Sequence, residues 1–243
     1  MTEQSIAAVW NTRDDFSPEV SKFLVESTKK QLQTIPQLIN MGEASWEVLM
    51  TFLLLSEMRI PNIVMGKAYQ ALYQIKIPKI QEFLQINFPY GVVPLESECN
   101  TDYQLLKDLL INQKFKDADT ITRQKLCELA GEASVKRKWI YFTEVEQFPT
   151  TDLHTINSLW WVYSEGRFGF SVQRKLWLSV GKDFTKLWPK IGWKKDNNWT
   201  FYPNEFIWDL SAPVGHLPLL NQLRGVRVTA SLFTHPVWLE NNW

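Results

Sequence analysis

The chain has 243 residues, 45% of them hydrophobic. That suits one large domain or two small ones with a proper core, and it excludes a disordered chain. Lys plus Arg and Asp plus Glu both number 26, so the net charge is zero and no whole-protein field is expected to gather nucleic acid. Cys99 and Cys127 stand too far apart for a C-x-x-C or a metal-ligand spacing and read as two reduced thiols. There is no run of about 18 apolar residues to span a bilayer.

The opening MTEQSIAAVWNTRDD has neither a secretory nor an Arg/Ser-rich transit pattern, which predicts a protein that works where it is made. Ser17 is placed to cap a helix with Pro18 at its first position. Val20, Phe23, Leu24, Leu32, Ile35 and Leu38 then give that helix an apolar stripe. A second helix carries Trp46, Leu49, Met50, Leu53 and Leu54. A third runs through Ala68, Tyr69, Leu72 and Tyr73, and a fourth follows Pro78 with Ile80, Phe83 and Leu84 inward. Short connections predict antiparallel neighbours, and these stripes read as core. Pro89 to Pro94, with Gly91 between, predicts a linker. Beyond it, helices are expected at about 102–112, 117–130, 152–164, 171–180 and 216–224, with Asp152 and Ser171 as caps. Trp199 to Tyr202 suits a short extended piece. The fold class is all-α, with no repeat and no low-complexity segment.

Aromatic and basic residues are concentrated together. Of 12 tryptophans only Trp10 and Trp46 precede position 139. Gly166 to Trp208 holds eleven aromatics, and up to Tyr202 eight basic residues face Asp183 and Asp196, a local charge of +6. Such a segment suits a concave face for a large flat anion, rings against aromatics and carboxylates against Arg or Lys. A Trp-rich core with a solvated basic rim explains the same composition. Basic-aromatic interleaving also builds single-strand stacking platforms, and Gly166-Arg167-Phe168-Gly169 matches the GxxG of a KH loop. The strands a KH domain needs are missing, so nucleic acid is not expected. Catalysis finds little support. The three histidines, His154, His216 and His235, belong to no catalytic or zinc motif, and His154 reads as a hydrogen-bonded residue of an apolar helix. Glu144 and Glu146, two apart, would not share a helix face and read as solvated.

The stretches ITRQKLCELAG (121–131), WIYFTEVEQFP (139–149), LHTINSLWW (153–161), FGFSVQRKLW (168–177), FTKLWPKIGW (184–193) and WDLSAPVGHLPLLNQLRGVRV (208–228) strongly resemble the genomes-uncoupled family. Its members are porphyrin-binding regulators of magnesium chelatase in oxygenic phototrophs. The likeness covers roughly Phe88 to Trp243. Residues 1–85 match in kind, as the helical bundle that cyanobacterial-type members carry before the core. The resemblance implies a bundle over 1–87 and, over 88–243, an all-α core shaped like a cupped hand that holds the tetrapyrrole. It implies that Trp199, Tyr202, Phe206 and Trp208 lie in or near the cup and that Asn221, Arg224 and Arg227 face the ligand. Arg123 and Phe142 would close it from the other side. If 216–224 continues as a helix, Asn221, Arg224 and Arg227 share one face with Leu220. Trp177, Trp188 and Trp193 read as structural.

The ligand implied is protoporphyrin IX or Mg-protoporphyrin IX, and the partner is the large H subunit of the chelatase. The protein would be a non-catalytic activator in chlorophyll biosynthesis. It is expected to be a monomer in a cyanobacterial cytoplasm or plastid stroma, with peripheral association at the thylakoid or envelope membrane. Two departures stand out. Phe201 occupies a place where some relatives carry a basic residue. The sequence also stops at Trp243, without the phosphorylatable tail of plant members, so that control is not expected.

Overall fold

The computed structural model describes residues 17–56, 60–196, 198–220 and 226–240. It is helical, with one two-residue hairpin among the described residues. Ser17 caps α1 (Pro18–Val25), its Oγ accepting from the Val20 amide at 3.3 Å, with Pro18 in the first turn as expected. The stripe from Val20 to Leu38 is split between two helices. Glu26 is extended (φ −67°, ψ 149°), and Ser27 caps a new helix, α2 (Thr28–Met41). Serine competes for local backbone bonds and favours such a start. Next come α3 (Glu43–Ser56), α4 (Ile63–Tyr73) and α5 (Pro78–Asn87). Phe23 packs edge-on against Phe52 at 5.2 Å, locking α1 to α3.

Residues 89–94 form no helix or strand, as two prolines and a glycine predict. Beyond them lie α6 (Gln104–Ile111), α7 (Phe115–Leu129), α8 (Glu132–Arg137), α9 (Phe142–Val145), α10 (Thr150–Tyr163), α11 (Phe170–Ser179) and α12 (Phe184–Lys190). The hairpin β1 (Lys194–Lys195) and β2 (Asn198–Trp199) is antiparallel, with Lys194 opposite Trp199. Then follow an irregular stretch from 200 to 220, α13 (Arg227–Thr234) and α14 (Val237–Glu240).

The core is organised on α10, whose Leu153, Ile156, Leu159, Trp160, Val162 and Tyr163 are all buried. A helix apolar on nearly every side must be surrounded. Its polar groups are paired accordingly. Trp160 Nε1 donates to Thr122 Oγ1 at 2.9 Å on α7, and Asn157 Oδ1 accepts from the Ser171 amide at 2.9 Å at the start of α11. Asp152 is not a cap. It is fully buried within α10 and accepts from Tyr103 OH at 2.7 Å, Ser97 Oγ at 2.5 Å and the Glu98 amide at 2.9 Å, so it staples the segment before α6. Ser171 is not a cap either, because Gly169 (φ 121°) takes that position.

The N-terminal helices press on the same pillar. A Cβ on Gly66 of α4 would stand 2.5 Å from the Val162 carbonyl oxygen. The Gln70 amide donates to the carbonyls of Leu110, Ile111 and Tyr163, and Lys67 pairs with Glu165 at 2.7 Å. Gly169 also disposes of the KH-like tetrapeptide, which is the α10–α11 connection with its Gly169 amide bonded to Leu217 O at 3.0 Å.

The expected helix at 216–224 is absent over 216–220, and the rest of it lies outside the described residues. Backbone groups there have tertiary partners instead of local ones. Leu219 N donates to Asp119 Oδ1 at 2.6 Å, and Gln173 Nε2 donates to Gly215 O and Pro218 O. Pro218 supplies no amide for a helical ladder.

Candidate functional site

Successive turns of α7 build one wall of a cavity. Ala118, Thr122 and Leu126 are buried, with Thr122 holding Trp160. The neighbouring positions Asp119, Arg123 and Cys127 recur every four residues, so they follow one another up a single face. Opposite stand Trp139 and Ile140, just past α8, with Leu219, Leu220 and Val228 closing the space. The cavity measures about 350 Å³. A groove of about 420 Å³ adjoins it, sharing Arg123, Cys127 and Lys138. Both volumes fall in the range of small-molecule clefts.

The walls are aliphatic and the edge is cationic. Arg123 stacks on the Tyr202 ring at 4.6 Å, and its Nη2 bonds to the Tyr202 hydroxyl. Its Nε stands 3.4 Å from Asp119 Oδ2. Burial drives the Asp119 carboxyl up to about 6, although the Arg123 charge and the Leu219 amide pull the other way. Arg137 lies over the rings of Trp139 (4.6 Å) and Tyr141 (4.4 Å) and pairs with Glu144 at 2.7 Å. Burial alone would raise the Glu144 carboxyl. The Tyr141 amide, Arg137 and Ser134 outweigh it and hold the group below the usual carboxylate range. Of the two glutamates expected to be solvated, only Glu146 is exposed, because Glu144 has this network to join.

The loop after the hairpin is stiffened from beneath. Trp193 Nε1 donates to His216 O at 2.7 Å. His216 Nδ1 faces Ile191 O at 2.7 Å and its Nε2 accepts from the Ile207 amide. Burial lowers the imidazole's pKa, and the two bonds fit the neutral Nδ1–H tautomer. The ring rests on Phe206 at 4.7 Å. Phe206 in turn stacks on Trp208 (5.6 Å) and meets Tyr202 (5.7 Å).

Sequence-predicted residues therefore fall into separate groups. Arg123 lines the cavity, Tyr202 packs on Arg123, and Phe206 and Trp208 pack on Tyr202. Phe142 and Arg227 meet each other, guanidinium 5.5 Å from the ring, but they line a different groove of about 650 Å³ with Glu146, Ser231 and His235. Trp199 packs on Trp188 at 6.0 Å, beside Lys194, and lines neither space. Asn221 and Arg224 lie outside the described residues. Trp177, Trp188 and Trp193 are buried, as structural residues should be. His154 is half-buried on α10, 3.5 Å from Ser158 Oγ.

Sequence reading missed Arg137, Lys138, Trp139 and Ile140. The available signal was the run Lys136-Arg137-Lys138-Trp139 before Ile140-Tyr141-Phe142, a shorter version of the basic-aromatic interleaving noted downstream. Among the described residues no cluster of His, Cys, Asp and Glu could hold a metal ion, and no helix is long and apolar enough to cross a membrane.

Comparison with known proteins places this geometry. Residues 96–236 match the GUN4-like family, and residues 9–89 match the ARM-like repeat domain, GUN4-N terminal. A Ycf53-like protein of Synechocystis is 55% identical over 89% of this chain and 94% of its own length. The tetrapyrrole-binding protein, chloroplastic, of Arabidopsis thaliana is 43% identical over 58% of this chain and 57% of its own. The structure of GUN4 from Chlamydomonas reinhardtii superposes with a TM-score of 0.57 at 39% identity, covering 61% of this chain and 95% of that one. The ligand-free structure of Arabidopsis thaliana GUN4 gives 0.53 at 44% identity, covering 57% of this chain and 98% of that one. The cavity of Arg123, Trp139 and Leu219 lies within the matched domain, and the chain belongs to the GUN4 family.

Proposed function

We propose that this protein binds a tetrapyrrole, protoporphyrin IX or Mg-protoporphyrin IX, in the cavity between α7, Trp139 and Leu219. It exchanges that ligand with the large H subunit of magnesium chelatase, raises chelatase output, and breaks or forms no bond itself. The observation that carries the reading is the cavity's make-up: a flat indole and branched aliphatic walls with Arg123, Arg137 and Lys138 at the edge. A porphyrin has the complementary form, an apolar disc with carboxylates on one side. Arg123, with Tyr202, Phe206 and Trp208, forms one rim of the site. In this reading Asn221 and Arg224 also face the ligand, as the family resemblance implies. Phe142 and Arg227 extend it across α13, and Trp199 flanks the loop.

Burying about 400 Å² of apolar ligand surface gives on the order of 10 kcal/mol. Association costs take back at least about 4 kcal/mol, which leaves at most about 6 kcal/mol from apolar burial, a dissociation constant of roughly tens of micromolar that carboxylate contacts would tighten. Residues 1–87 form a separate domain from 88–243 in this reading. The protein acts as a monomer in a cyanobacterial cytoplasm or plastid stroma, touching the thylakoid or envelope membrane peripherally.

The test is a titration of the protein with each porphyrin, following tryptophan quenching and the porphyrin absorption band, and then a chelatase assay with and without the protein. Saturable one-to-one binding and faster magnesium insertion are expected. A folded protein that binds neither porphyrin refutes the reading and leaves a scaffold that uses its exposed aromatics for a protein partner.

A further inference from the structure

We infer that Lys138 is the cation that pairs with a ligand carboxylate at this cavity, so that it selects tetrapyrroles with free acid side chains. The inference rests on the tetrapyrrole reading above and adds a specificity residue to it. Two observations converge on this lysine, and a third fixes where its side chain starts.

The first is place. Lys138 follows α8 directly and lines both the cavity and the adjoining groove. It stands where a flat ligand lying against Trp139 would bring its edge out to water.

The second is charge. The other cations of these walls are already balanced. Arg123 faces Asp119, Arg137 faces Glu144, and Lys125 of the same α7 faces Glu128 at 2.8 Å. Lys136, two residues back, faces Glu132. Among the described residues no carboxylate lies within ion-pair distance of Lys138. The site therefore carries an uncompensated positive charge at its mouth, beside aliphatic walls that weaken the screening of a partner.

The third is backbone. Lys138 sits at φ 62°, ψ 28°, a left-handed conformation, with its amide bonded to Ser134 O at 2.7 Å. Glycine or asparagine is the usual choice at such a helix end, and seven residues earlier the chain does use Gly131 at φ 96°. Here a long cation takes the left-handed position against its own preference. The same conformation recurs at Lys182 (φ 62°) and Gln113 (φ 54°), so the backbone fixes where the Lys138 side chain starts and does not by itself assign it a role. Its anchorage is firm, because Ser134 accepts from Arg137 at 2.7 Å and donates to Glu144 at 2.9 Å.

The experiment compares the full-length wild type with Lys138→Gly and Lys138→Gln. Each is titrated with protoporphyrin IX and with its dimethyl ester, and each is melted without ligand. Both variants should lose about fivefold in affinity for the diacid, the scale of one charge-assisted contact at a partly exposed site. They should bind the ester as the wild type does. Lys138→Gly should also raise the melting temperature by relieving the left-handed strain. Gain of stability with loss of affinity separates a binding lysine from a structural one. Unchanged affinity of both variants for the diacid overturns the role of Lys138 while the tetrapyrrole reading stands. Equal losses for diacid and ester overturn it in favour of a shape effect. A wild type that binds neither porphyrin overturns both.

Discussion

Asp119→Asn removes the one carboxylate that the fold buries behind Arg123. The Asp119 side chain is fully buried, and its pKa moves from 3.8 to about 6. At about 1.4 kcal/mol per pH unit this corresponds to roughly 3 kcal/mol. Between those values the folded protein holds the proton more tightly than the unfolded chain does. Raising the pH through that window therefore withdraws stability, and the withdrawal is complete by neutral pH. About 2 kcal/mol of it falls between pH 4.5 and 7.5. Asparagine keeps an oxygen for the Leu219 amide and has no charge to desolvate.

Urea unfolding of wild type and Asp119→Asn at both pH values isolates this carboxyl, because every other group cancels in the difference. With an m-value of about 2–3 kcal/mol/M, the variant's midpoint should gain on the wild type by roughly 1 M as the pH rises from 4.5 to 7.5. A gap between the two midpoints that stays constant with pH would refute the reasoning. So would a variant that falls behind at pH 7.5.

Three further outcomes are expected. Gly66→Ala should destabilise by about 1–2 kcal/mol, since overpacking against the Val162 backbone at 2.5 Å outweighs alanine's helical advantage of about 1 kcal/mol; a thermal melt at or above wild type would contradict the close approach of α4 to α10. Arg227→Ala should weaken porphyrin binding about three- to tenfold with the fold intact, and unchanged affinity would confine the ligand to the Arg123 side of α13. Residues 88–243 alone should bind porphyrin as the whole chain does, yet melt earlier, because the cut removes Gln70 from the carbonyls of Leu110, Ile111 and Tyr163; a fragment that folds without binding would merge the two proposed domains into one.

The parts of the fold legible in the sequence are those set by local chemistry. Ser17-Pro18 starts a helix where a cap and a fixed φ coincide, Pro89 to Pro94 breaks one, and the amphipathic stretch of α7 and the apolar one of α10 are helices. Where tertiary partners decide, pattern reading failed. Ser27 interrupts a stripe that periodicity alone would carry through. Asp152 looks like a cap by position but serves Ser97, Glu98 and Tyr103 across the core. Leu217 to Leu220 look helical, yet Gly169, Gln173 and Asp119 claim their backbone.

The candidate site divides the same way. Concentrated aromatic and basic residues drew attention to 166–208, but Phe168, Phe170 and Trp193 turned out to be core. The cations nearest the cavity came from Arg123 and the short run at 136–138. Resemblance to a family, not composition, supplied Arg123 and Phe142. Lys138 was out of reach because its significance lies in a missing partner, which a sequence does not display.

The most direct test is a crystal structure of the protein with protoporphyrin IX bound. The macrocycle should lie between α7 and Trp139, its plane against Leu219 and Leu220, with a carboxylate within ion-pair distance of Lys138 or Arg123. Density for the porphyrin elsewhere, with this cavity filled only by water, would contradict the account.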